Sequence, residues 1–105
     1  MTDPQHFGIT LWNAKPGRGE DFVARWSALV QWTVEAFPGQ GPGRLSADPD
    51  DPTRFSSVFA WTDRSLVEDW KAQPEFQRMW AEMEETLTSS DRRTYDLRVR
   101  IDVVS

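Results

Sequence analysis

The chain has 105 residues, with 12 Lys+Arg against 17 Asp+Glu and a formal net charge of −5. One domain, 1–105, is what such a length accommodates, with about two-thirds of the unfolded chain's surface buried on folding. The acidic balance argues against nucleic acid, no apolar run nears the roughly 20 residues of a membrane span, and the absence of Cys excludes disulfides, thiolate metal sites and a Cys nucleophile.

The first strand is predicted over 7–13 (Phe-Gly-Ile-Thr-Leu-Trp-Asn), with Ile9 and Leu11 on one side and Thr10 and Trp12 on the other. Ala14-Lys-Pro-Gly-Arg-Gly19 reads as a turn, and Glu20 and Asp21 suit the positive end of the helix that follows. At 100° per residue, Phe22, Trp26, Leu29, Val30, Thr33 and Phe37 form one arc of that helix, edged by Val23 and Val34. Trp32 falls on its polar side, as an exposed ring that either meets a partner chain or the C-terminal tail, or stands alone.

Pro38-Gly-Gln-Gly-Pro-Gly43 breaks the helix. A short strand is expected over 44–47, a turn over 48–53 and a strong strand over 54–62, with Phe55, Ser57, Phe59 and Trp61 on one face. Asp63 can cap a short helix carrying Leu66, Val67 and Trp70. Pro74 opens another, whose stripe is Phe76, Trp80, Met83 and Leu87. Residues 89–92 read as a loop. The final strand is expected over 95–104, with Leu97, Val99, Ile101 and Val103 alternating against Asp96, Arg98, Arg100 and Asp102.

This βαββαβ order with a split second helix is the ferredoxin-like α+β plan, a four-stranded antiparallel sheet with helices on one face. Its other face, including Ile9 and Leu11, would be bare, and a second copy related by a two-fold axis would cover it, giving a homodimer. Mean hydropathy is only −0.63, so the core must rest on large rings, supplied by six Trp and six Phe. The start of the chain, residues 1–7, lacks the basic and apolar stretches of a signal peptide, so the expected location is cytoplasmic.

Several short motifs occur in a fixed order: Lys15-Pro-Gly17 before Glu20-Asp-Phe22, then Phe37-Pro-Gly39, Asp48-Pro-Asp-Asp-Pro-Thr-Arg-Phe55, Ala60-Trp-Thr-Asp63 and Gln73-Pro-Glu-Phe76. In them the chain resembles the antibiotic biosynthesis monooxygenase family, small dimeric α+β barrel proteins, from about Leu11 to Leu87. It departs at Gly41-Pro-Gly43, where the family keeps a regular strand; Pro42 fits only an edge or a bulge there.

The resemblance implies a ligand cleft between sheet and helices. In the family's cofactor-independent quinol oxygenases, one of four functional positions is kept here, Trp61; an Asn, a Tyr and an Arg correspond to Ser57, Val67 and Trp80. The haem-degrading branch would place its Trp at Trp70, its Phe at Phe76 and its strand-one Asn at Thr10. Its iron-ligating His corresponds to Trp80, and an indole N–H donates a hydrogen bond without ligating iron. The only histidine, His6, lies before the first predicted strand.

Two readings follow for Thr10, Trp12, Ser57, Trp61, Trp70, Phe76 and Trp80. They line a pocket for a flat hydrophobic aromatic ligand, or the rings meet and leave no cavity. The first implies monooxygenase-type oxidation without a metal or organic cofactor, with the catalytic group unidentified. The missing proton-transfer groups point to the alternative, a non-catalytic binding or structural dimer. Haem degradation ranks third. Gly17-x-Gly19 reads as a helix entry, Asp48, Asp50 and Asp51 as a hairpin turn, and Glu82, Glu84 and Glu85 as a solvated face. Arg98 and Arg100 hold an anionic ligand group or pair with Asp96 and Asp102 across a dimer.

Overall fold

A computed structural model describes residues 3–104. Strict alternation along β1 (His6–Ala14) sends Gly8, Thr10 and Trp12 to the helix side and leaves Ile9 and Leu11 exposed. After α1 (Gly19–Ala36) come β2 (Gly43–Ala47) and β3 (Arg54–Trp61), then α2 (Ser65–Ala72), α3 (Pro74–Glu84) and β4 (Leu87–Asp96). The sheet is antiparallel with order β2-β3-β1-β4, so β1 and β3 are central. The fold is ferredoxin-like α+β, with all three helices packed on one face.

Local chemistry accounts for the element ends. The Asp63 carboxylate accepts from the backbone N–H and the hydroxyl of Ser65, both at 2.9 Å, so it caps α2 from just outside its first turn. Pro74 takes the first position of α3, where a missing N–H costs nothing. In the turn before β3, Asp48 accepts from the Asp50 N–H, and Asp51 from both the N–H and the hydroxyl of Thr53. Pro42 stands just ahead of β2, its carbonyl accepting from the Ala60 N–H at 3.3 Å. Gly43 lets α1 close on the sheet edge: a Cβ there would lie 2.8 Å from Val30 and 2.9 Å from Phe59.

The expected last strand is displaced. β4 occupies Leu87–Asp96, so residues 89–92 are strand where the sequence pattern suggests a loop, and Leu87 starts the strand instead of closing the α3 stripe. Residues 97–104 form no strand, although Leu97 donates its N–H to Gln5 O at 2.7 Å. The physical reason is the partner. β4 satisfies the ladder of β1 with largely polar residues, and the cleaner alternation of the tail has no strand beside it. Arg98 and Arg100 therefore lie off the sheet. Arg100 pairs with Asp102 at 2.8 Å and Asp3 at 3.7 Å within the same chain.

Two single-residue expectations also change. His6 is the first residue of β1, and its Nδ1 lies 2.8 Å from an Asp96 carboxylate oxygen at the facing end of β4. Trp32 is half-buried, packed edge-on to Phe37 at 6.3 Å between centroids, because Phe37 turns back under the helix end. No helix among the described residues is long and apolar enough to cross a membrane.

Candidate functional site

The core is built of rings. From Phe55 the contacts pass through Phe22, Trp12, Trp80, Phe76 and Trp70 to Trp61, with successive centroids 4.4–5.5 Å apart. Phe59 and Phe37 join at Trp61. Tilted and edge-on geometries of this kind are favourable between aromatic quadrupoles. Trp61, Phe22 and Met83 are fully buried, while Trp26, Phe76 and Trp80 are half-buried at the rim.

Between sheet and helices these rings enclose a cavity of about 30 Å³. Six of the seven residues singled out in the sequence line it: Thr10, Trp12, Ser57, Trp61, Trp70 and Trp80. Phe76 stands one layer back, between Trp70 and Trp80. A void of this size holds a water or two, whereas drug-sized ligands occupy about 300 Å³ or more. Entry of a polycyclic ligand therefore requires the half-buried rings at the rim to move.

The polar groups of the cleft divide into paired and unpaired. Trp12 Nε1 donates to Ser57 Oγ at 2.9 Å, so Ser57 is engaged in fixing an indole. Trp70 Nε1 donates to Thr33 Oγ1 at 3.0 Å, and the Thr33 hydroxyl donates onward to Leu29 O at 2.7 Å. That explains a threonine on the apolar arc of α1. Trp61 Nε1 is buried and has no partner. An unmet buried donor costs about 1–3 kcal/mol and calls for a reason.

Arg92 was missed in the sequence, because a polar segment read as a loop concealed that 90, 92 and 94 face the helices. It pairs in register with Thr10, which in turn pairs with Ser57, so the three form a row across β4, β1 and β3. Its guanidinium lies 5.4 Å over the Trp70 ring and crosses Gly8, where a Cβ would come within 2.8 Å of Nη2. One N–H reaches Thr94 Oγ1 at 3.3 Å. Among the described residues no carboxylate lies within ion-pair distance of it. Burial pushes this guanidinium down from its ordinary pKa, with the more distant Glu68 pulling the other way; it remains a cation at neutral pH.

Comparison with solved structures shows the same fold. SnoaB, a cofactor-independent oxygenase from Streptomyces nogalater, superposes with a TM-score of 0.83 at 15% identity, over 92% of this chain and 96% of that one. A protein from Shewanella oneidensis gives 0.77 at 22% identity, over 90% and 92%. One from Pseudomonas aeruginosa gives 0.76 at 21%, over 94% and 99%. No curated protein matches the sequence significantly. The model of the antibiotic biosynthesis monooxygenase family matches residues 7–82, most of the chain, and the protein belongs to that family.

Proposed function

We propose that this protein oxidises a flat, electron-rich aromatic with O₂ in the indole-lined cleft, in the cytoplasm and without a metal or organic cofactor. The observation that carries the reading is the convergence of Trp12, Trp61, Trp70 and Trp80 on one space beneath the helices of a monooxygenase-family fold. Similarity in fold to a cofactor-independent oxygenase supports it. For an anthrone-type substrate, the ring methylene becomes a carbonyl. One atom of O₂ is retained, and the other leaves as water with the two hydrogens. Thr10, Trp12, Ser57, Trp61, Trp70, Phe76 and Trp80 orient the ring system, with Phe76 and Trp80 swinging outward to admit it.

The cleft lining contains no carboxylate, imidazole or phenol among the described residues. The substrate must therefore arrive as an anion or be made acidic by the site, since only the anion gives up an electron readily to O₂. Oxygen uptake by the metal-free protein with a panel of anthrones and hydroquinones tests this. A rate above buffer for at least one is expected; none for any overturns it. The lack of a proton-transfer side chain in the lining favours a second reading, a non-catalytic binding dimer, and in that case the same compounds bind without oxygen uptake.

The assembly proposed is a homodimer through the open sheet face. Ile9 (39%), Leu11 (53%) and Tyr95 (49%) are exposed there. A further hollow of about 540 Å³ lies between that face and the tail, bordered by Phe7, Val58, Ala60, Leu97, Val99 and Ile101. A second copy supplies the apolar surface and the strand edge that the alternating tail lacks.

A further inference from the structure

Charge inside a ring-walled space demands a counterpart. Arg92 is the cleft's one ionised group among the described residues, half-buried, with a single neutral hydrogen-bond partner. Other arginines of the chain that lie near carboxylates, such as Arg78 and Arg100, are exposed and paired. A partly desolvated guanidinium without an anion is costly, and four of its five N–H donors have no partner among the described residues. The Arg92 guanidinium lies over the Trp70 ring at 5.4 Å. Gly8 leaves the room the guanidinium occupies.

We propose that Arg92 is an oxyanion-binding group of the cleft, so that the ligand is a planar aromatic whose anionic oxygen, phenolate or carboxylate, is held by the guanidinium. The inference rests on the cleft being a ligand site and adds the class of ligand. It also gives the site a means of making a phenol acidic with no base in the lining: the cation stabilises the phenolate and lowers the phenol's pKa, and the proton leaves to water. Arg92 is then a binding group on the reacting oxygen.

Calorimetric titration with 2-naphthoate and its neutral isostere 2-naphthamide tests the proposal without depending on turnover. The anion is expected to bind roughly ten- to a hundredfold more tightly, the scale of a charge-assisted hydrogen bond. Arg92→Gln should erase the preference while leaving the amide's affinity in place. Gly8→Ala, whose new methyl displaces the flexible guanidinium with no demand on the backbone, should reproduce the loss in a protein of unchanged circular dichroism, which covers a failure of Arg92→Gln to fold. Titrating bound 2-naphthol separates the phenolate source, whose pKa should fall on binding. Equal affinity for anion and amide, or a preference that survives both Arg92→Gln and Gly8→Ala, overturns the inference and leaves the cleft intact. Failure of every aromatic to bind overturns both.

Discussion

Trp80 shows what a single side chain decides here. Its ring sits 5.5 Å from Trp12 and 5.4 Å from Phe76, half in solvent, as the outer wall of the cleft. Trp80→Ala is expected to lower stability in urea denaturation by about 3 kcal/mol, the low end for losing a large ring because the site is only partly buried. The same change opens the void to solvent, so a tricyclic ligand should bind more tightly to the variant by calorimetry. Unchanged or weaker binding would mean that entry lies elsewhere. The sequence marks Trp80 as standing where related oxygenases carry arginine. It does not show that β4 delivers an arginine to the same space from the other side.

At the level of elements, several joints depend on carboxylates. The N–H and hydroxyl of Thr53 hold Asp51 below the usual carboxylate range, those of Ser65 do the same for Asp63, and His6 for Asp96. A carboxyl depressed in the folded state below its ordinary 3.8 stabilises fully above that value and loses its contribution as pH falls through the lower one. Thermal melts should therefore be flat in this respect from pH 7 to about pH 5 and fall as the pH drops below the carboxylates' ordinary 3.8. Asp63→Asn should melt lower at neutral pH and show a shallower acid slope; an unchanged slope would remove Asp63 from the account.

Legibility in the sequence follows the same logic. β1, α1, β3 and α3 are readable because their apolar residues keep one period and turn chemistry brackets them. β4 was not: Ser90, Arg92 and Thr94 face a polar corner of the cleft, so the strand lacks the apolar alternation that announces one. The tail carries that alternation without the partner strand. The face of its element on which each of Trp12, Trp61, Trp70 and Trp80 lies is readable from the sequence. The volume they leave is not, because it depends on rotamers and ring tilts.

For the whole molecule, the proposed dimer rests on the bare sheet face and the tail. Val99, Ile101, Val103 and Val104 are between 73% and 94% exposed, a high cost for a soluble chain acting alone. Sedimentation at micromolar concentration should give twice the 12.1 kDa of the chain. Removing residues 97–104 should shift the equilibrium toward the single chain while the circular dichroism of β1, β3 and the helices persists. A 12.1 kDa species of the intact protein would refute the dimer.

The unbroken run of rings also makes the core an optical unit. Indoles this close exchange excitation much faster than they emit, so light absorbed by one tryptophan is shared with its neighbours before it is released. A single quencher seated beside Trp70, where Arg92 already lies over the ring, would therefore dim Trp12, Trp61 and Trp80 as well. Emission should fall by more than the share of one fluorophore in six, making ordinary intrinsic emission an amplified reporter of occupancy.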